Sequence, residues 1–278
     1  MKHDPRITPW RDGIAARSLE GVIEAEVYLD PKAMSCMAAA TGIRQAPDAN
    51  AEQMDQLLFG ERFEVLEEEG AWLFGQAARD GYVGFVEAAA LAPAGPLPTH
   101  RVSALRTYAF AENTIKSRAS GPYSINSLVA VEALEGKLAK VAGAGWMTGA
   151  HLQPIGMFED DWAAVAERFV GAPYLWGGRE SLGLDCSGLV QQALFACGLA
   201  CPRDTDQQQA LGAPITAAEF GRGDLVFWKG HVAMGVGDGR IVHANGHHMA
   251  TVIEPLAEAI TRIDAAGSGQ PTAYRRIG

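Results

Sequence analysis

The 278-residue sequence has no apolar run near the roughly 18 residues that a membrane-spanning helix needs. Its N-terminus, Met1-Lys2-His3-Asp4-Pro5-Arg6, is followed by no apolar core of signal-peptide length. Cysteine is scarce. The four present (Cys36, Cys186, Cys197, Cys201) show neither a secreted disulfide framework nor paired C-x-x-C zinc spacing. Cys197 and Cys201 lie four apart, but Gly198 and Pro202 mark them as helix-end packing residues. These features lead to the expectation of a reduced, cytoplasmic protein. Positive charge is also short, with 23 Lys and Arg against 33 Asp and Glu, a net charge of -10. That argues against a nucleic-acid binder and against an anionic membrane surface. With 48% hydrophobic and 20% charged residues the chain is globular, and its length allows two or three domains.

Residues 1–20 are polar and turn-rich, as in an arm laid over a first domain. From Gly21 to about Leu91 short strand-like runs alternate with turn residues: Val22–Tyr28, Phe63–Leu66, Trp72–Phe74 and Tyr82–Val86. Ala51 to Leu58 reads as a short helical insertion. Ala92-Pro93-Ala94-Gly95-Pro96-Leu97-Pro98 has the composition of a stiff linker. A second strand-rich block, Arg101 to Leu152, ends like the first. Gly84-Phe85-Val86 with Leu91 matches Gly145-Trp146-Met147 with Leu152, the leucine seven residues after the glycine in both. This suggests duplicated small β-barrels.

The third block opens with a helix capped by Asp160 or Asp161. Its apolar face is Trp162, Val165, Ala166, Phe169 and Val170, and Gly171 with Pro173 ends it. Then comes Gly183-Leu184-Asp185-Cys186-Ser187-Gly188, where a turn becomes a helix. Leu189, Val190, Ala193, Leu194 and Cys197 form the buried stripe of that helix. Asp185 is placed to cap it, leaving Cys186 at or near the first helical position. A thiol there meets free backbone N–H groups and the positive end of the helix dipole, which favour a thiolate and an oxyanion alike. The competing reading is a small buried cysteine behind a glycine turn. Strand-like runs follow at Asp224–Trp228, His231–Val236 and Arg240–Ala244, so the block reads as α+β.

If Gly237-Asp238-Gly239 is a three-residue hairpin loop, Val236 pairs with Arg240, Ala233 with His243 and His231 with Asn245. His231 and His243 then share one sheet face as diagonal neighbours, about 7–8 Å apart at the backbone. A two-residue loop would place them on opposite faces. Cysteine, then histidine, then a polar residue is the order of a generalised papain-like triad, with His231 the base and His243 holding its tautomer. Each histidine could instead be a capped or surface residue. His243, His247 and His248 with Cys186 and His231 could also form a zinc site, although His247 and His248 follow Gly246 like turn residues.

Four ordered motifs carry a resemblance: Tyr174-Leu175-Trp176-Gly177-Gly178, Leu184-Asp185-Cys186-Ser187-Gly188-Leu189-Val190, Gly223-Asp224-Leu225-Val226-Phe227-Trp228 and His231-Val232-Ala233. Together they resemble the NlpC-type peptidoglycan endopeptidases, papain-like cysteine peptidases of cell-wall peptides, over roughly residues 160–278. The preceding blocks resemble bacterial SH3-like domains. With them the chain is similar to the subgroup that cuts between D-glutamate and a diamino acid in free murein peptides.

The resemblance implies an α+β papain-like domain (156–278) preceded by two small all-β SH3-like barrels, 1–92 with the arm and 99–155. It implies Cys186 as nucleophile, His231 as base, His243 as third member and Tyr174 near the oxyanion. It further implies that Asp204 meets the free amine of the substrate's L-alanine. Tyr82 closes the same pocket in this reading, while Thr205, Asp185, Ser187 and Trp176 line the substrate site. No cofactor and no metal are expected. The expected partner is a murein tripeptide or tetrapeptide, with no nucleic acid and no membrane. The implied function is hydrolysis of the γ-D-glutamyl–diamino acid bond during murein peptide recycling. The alternatives are a non-catalytic cell-wall-fragment binding protein and an acyltransferase on the same scaffold.

Overall fold

The computed structural model describes residues 3–278; Met1 and Lys2, the first two residues of the expected arm, lie outside the described residues. The chain divides into two units, Met1–Ile155 and Gly156–Gly278.

The first unit is almost entirely strands around two main cores, with a smaller cluster of Ala16, Leu66, Phe74 and Phe85. One sheet runs in the order Leu91–Pro93, Lys32–Cys36, Arg62–Glu69, Trp72–Ala77, Val83–Glu87, Ala40–Arg44, Gln53–Leu58. It encloses Ile43, Leu57, Phe63, Tyr82 and Val86. The second core gathers Val102, Ala109, Tyr123, Val141 and Met147 beneath the sheet Ala119–Ser124, Arg106–Phe110, Gly145–Thr148, Leu138–Val141, Val131–Glu135. Phe59, the residue after the Gln53–Leu58 strand, packs into this second core with its ring 5.0 Å from that of Tyr123. The similar block endings are structural too. Gly84-Phe85-Val86 and Gly145-Trp146-Met147 each sit in a strand, followed by one 3₁₀ turn and a short strand that opens at Leu91 or Leu152.

Two expectations fail here. Ala51 to Leu58 holds no helix: Gln53–Leu58 pairs antiparallel with Ala40–Arg44. Its Gln, Met and Leu are good helix formers, but sheet pairing and the burial of Leu57 and Leu58 override propensity. Of the run Val22–Tyr28 only Val27 and Tyr28 are extended, in a strand Val27–Leu29 parallel to Ile14–Ala16. The residues before it are held in a turn by Tyr28, whose hydroxyl accepts from the Ala25 N–H and donates to the Ile23 carbonyl. The arm does lie on the barrel. Val83 N–H donates to Arg6 O at 2.7 Å, and the Arg11 guanidinium stands 4.8 Å from the Phe85 ring.

The second unit packs helices on one six-stranded antiparallel sheet. Helix α1 (Trp162–Glu167) is capped by Asp161, which accepts from Ala164 N–H at 3.0 Å. It stops at Glu167, which leaves Val170 exposed and off the apolar face. Helix α2 (Cys186–Ala196) is buried on all sides, so the expected stripe is only part of its contact surface. Helices α3 (Thr205–Gln208) and α4 (Leu256–Ala265) complete the set. The strands of this sheet are β1 (Ala213–Pro214), β2 (Leu225–Trp228), β3 (His231–Gly237), β4 (Arg240–Asn245), β5 (Ala250–Pro255) and β6 (Ala273–Arg276), in sheet order β1-β6-β2-β3-β4-β5; Arg179–Glu180 and Gly183–Leu184 pair apart from it.

The β3–β4 hairpin departs from expectation in an instructive way. Gly237 pairs with Arg240, so the loop is the two-residue Asp238-Gly239, both with positive φ. A bulge between Gly235 and Gly237 absorbs Val236, and Met234 faces Val242. Continued one step, this register puts Ala233 opposite His243. The extra residue compensates for the shorter loop, and His231 and His243 share a face after all. Gly235, beside the bulge, lies against the Gly221 carbonyl: a Cβ there would come within 2.1 Å of that oxygen. Gly235→Ala should therefore cost about 1–3 kcal/mol of stability in the second unit, measured by urea unfolding. An unchanged midpoint would contradict this close approach.

Candidate active site

The site starts from one turn. Asp185 precedes α2 and its Oδ1 accepts from Gly188 N–H at 2.8 Å, which places Cys186 at the first helical position. The same carboxylate binds the Arg203 guanidinium through two bonds, Nη2 to Oδ2 at 2.6 Å and Nη1 to Oδ1 at 3.0 Å. Gly177 N–H donates to Oδ2 at 2.9 Å, and Ser187 Oγ both donates to Asp185 and accepts from Arg203. Expected as substrate-binding residues, Asp185 and Ser187 are instead committed to this internal network. Both are buried, and their acceptor positions are filled by Arg203 and backbone N–H groups. Arg203, beside Asp204 and Thr205 in the chain, carries no local signal in the sequence for this role.

Cys186 is buried, and the Val232 N–H of β3 faces its sulfur. Thr205 Oγ1 lies 3.8 Å from the sulfur. Burial, followed by the charge of Asp185, pushes the thiol up to about 11 despite the opposing Val232 N–H, Thr205 hydroxyl and Arg203. The helix terminus favours a lower value; desolvation outweighs it. Tyr174 is half-buried beside this thiol. Its phenol is pushed up by burial first, then by the negative charge that Cys186 and Asp185 place near it.

One residue before Val232 stands His231, and a chain of hydrogen bonds leads away from it. His231 Nε2 is 2.8 Å from His243 Nδ1, and His243 Nε2 is 2.6 Å from Glu254 Oε1. Arg262 of α4 closes on the same Glu254 oxygen. Burial, then the charges of His243 and Arg262, lowers His231 to about 3. The His243 hydrogen bond is the main cause holding Glu254 down at about 2. Each histidine shift is the cost of charging that ring alone. Passing the thiol proton to His231 creates two opposite charges together, which reduces that cost. With both nitrogens of His243 engaged, neither is left for a metal. Among the described residues no three His, Cys, Asp or Glu side chains are grouped to hold one.

The remaining candidates are spread differently. Trp176 is 57% exposed, next to the Gly177 that anchors Asp185. Asp204 is the N-cap of α3 in a reciprocal capping box with Gln207. Tyr82 lies in the first barrel's core at 1% exposure. His247 and His248 stack edge to face in the β4–β5 turn, where His248 N–H donates to Asn245 Oδ1.

Residues 171–263 match the NlpC/P60 family, and residues 43–91 match the bacterial dipeptidyl-peptidase Sh3 domain. Among curated relatives, the γ-D-glutamyl-L-lysine dipeptidyl-peptidase of Bacillus subtilis is 28% identical over 226 residues, 74% of this chain and 76% of that protein. Dipeptidyl-peptidase 6 of Lysinibacillus sphaericus is 27% identical over 72% of this chain and 82% of its own. Among solved structures, an NlpC/P60 family protein from Bacillus cereus superposes with a TM-score of 0.75 at 19% identity. It covers 88% of this chain and 99% of that one, a likeness of fold.

Two outcomes follow from this geometry. Arg203→Ala would strand the Asp185 carboxylate in the interior and should cost about 3–5 kcal/mol in denaturant unfolding; a loss below 1 kcal/mol, on the order of an exposed pair, would contradict the buried network. His231 carries a native value near 3 against an ordinary 6.5, so between those two the unfolded chain binds the extra proton. Stability linked to this ring is fully present above pH 6.5 and is lost as pH falls toward 3. His231→Gln should flatten that part of the stability–pH curve, and an unaltered slope would show that the ring is not buried neutral.

Proposed function

We propose that this chain, a cysteine peptidase carrying an NlpC/P60 domain and a bacterial SH3 domain, hydrolyses the γ-D-glutamyl–diamino acid bond of murein tripeptides or tetrapeptides that bear a free L-alanine. The observation that supports this most is that the Cys186 thiol, at a helix N-terminus, meets the Val232 N–H of β3, one residue from His231, whose ring pairs with His243 of β4. His231 takes the thiol proton, the sulfur attacks the γ-carbonyl, and the proton goes on to the leaving amine. The Cys186 backbone N–H and the Tyr174 hydroxyl stabilise the oxyanion. Water then attacks the thioester with His231 again as base, which releases the glutamyl acid and restores the thiol. No cofactor enters this sequence.

Asp204 reads the substrate's amine. Its carboxylate caps α3 one residue before Thr205, whose hydroxyl stands 3.8 Å from the thiol. Thr205 stands beside the thiol, and the exposed Trp176 belongs to the same loop as Tyr174. Both named relatives are dipeptidyl-peptidases, one of them of the γ-D-glutamyl-L-lysine bond, which supports a substrate of this class. A free L-alanine exists only after the peptide has left the glycan, so the reading places the enzyme in recycling, in the cytoplasm.

The test compares L-Ala-γ-D-Glu-diamino acid peptides with their N-acetylated forms. The free peptide should be cleaved roughly a hundredfold more efficiently, because acetylation removes the ammonium charge that the Asp204 carboxylate would meet. Asp204→Asn keeps the cap of α3 and removes the charge, so it should erase most of that preference with little change in stability. Comparable kcat/KM for the two peptides in the unmutated protein would refute the amine pocket.

A further inference from the structure

We infer that Glu254 is a positioning residue that fixes where the protons of the histidine pair sit. The inference rests on the reading of Cys186 and His231 as nucleophile and base. An ionised carboxylate only accepts hydrogen bonds, so His243 must carry its proton on Nε2, 2.6 Å from Glu254 Oε1. A buried neutral imidazole holds one proton, which leaves His243 Nδ1 bare. That bare nitrogen is 2.8 Å from His231 Nε2, so His231 must carry its proton there. Its Nδ1 is then the free lone pair, the nitrogen able to take a proton from sulfur.

The groups facing His243 come from every side: His231 on β3, Glu254 on β5, Arg262 on α4 and His248 in the β4–β5 turn. Arg262 can only donate, and either histidine can do both. Glu254 is the obligate acceptor, and so the one group that decides the direction of the chain. Arg262 binds the same Oε1, which holds the carboxylate in place and ionised. Register explains the reach. His243 faces Val252 and Ile241 faces Glu254, so Glu254 lies diagonal to His243 on the same face. Without the carboxylate both rings can turn over to the other tautomer. His231 would then hold its proton on Nδ1, with no lone pair there to accept one, and could not act as base.

The experiment has two arms. In ¹⁵N-labelled protein, imidazole nitrogen shifts should show His243 and His231 both protonated on Nε2 and bare on Nδ1. Glu254→Ala should mix the tautomers and lower kcat at least about tenfold, with KM within about twofold. Glu254→Gln keeps an acceptor oxygen toward His243 and Arg262, and should retain the tautomers and most of kcat. Finding His243 protonated on Nδ1 in the unmutated protein overturns the inference without any variant. So does Glu254→Ala with wild-type kcat, or with lost kcat and unchanged tautomers. Full turnover by a folded Cys186→Ala protein would overturn the parent reading instead, while leaving the tautomer result as measured.

Discussion

The Asp185 carboxylate is the constraint on which the catalytic unit depends. It gathers the N–H of Gly188 at the start of α2, the N–H of Gly177 in the Tyr174–Gly178 loop, the Ser187 hydroxyl and both arms of Arg203. Three separate segments meet at two oxygens, and Cys186 is the next residue along the chain. The loop that bears Tyr174 and Trp176 is thus fixed relative to the thiol, as is the segment that continues from Arg203 into Asp204 and Thr205. A buried ion pair adds little net stability over apolar packing, because desolvating both charges offsets most of their attraction. What it supplies here is a unique arrangement, since any other packing of these segments leaves a charge unpaired.

The second half of the site is set by a sheet, and there a single extra residue decides the geometry. The tight Asp238-Gly239 turn alone would send His231 and His243 to opposite faces. The bulge at Val236 returns them to one face, within hydrogen-bond distance. From there the alternation of β5 brings Glu254 up beside His243, and α4 carries Arg262 over the same face. The Cys186 thiol and the His231 ring therefore arrive on different elements, a helix terminus and a strand terminus. Each is positioned by its own carboxylate: Asp185 for the sulfur, Glu254 for the rings.

Much of this was legible in the sequence wherever the signal is local. Asp185 before Cys186 announces an N-cap, Gly230 before His231 announces a strand start, and both are found where the residues put them. The α+β class and the strand-rich blocks follow from hydrophobic patterning. What escaped is long-range. Arg203 is 18 residues from Asp185, and nothing nearby in the chain marks it as the partner of a buried carboxylate. Glu254 and Arg262 belong to a strand and a helix whose role appears only once β5 is paired with β4. The Gln53–Leu58 strand hid behind helix-forming residues whose pairing partners, Ala40–Arg44, decide their shape. The thiol's upward shift was hidden for a similar reason: the helix N-terminus is written locally, while the burial that outweighs it is tertiary.

The central claim is that Cys186 is the attacking group. Site-resolved alkylation tests it most directly, with iodoacetamide labelling of each cysteine followed by peptide mass spectrometry alongside residual hydrolysis of a γ-D-glutamyl–diamino acid peptide. Loss of activity should track modification of Cys186 one for one, and saturating substrate should protect both. Full hydrolysis by protein whose Cys186 is completely alkylated would contradict the account.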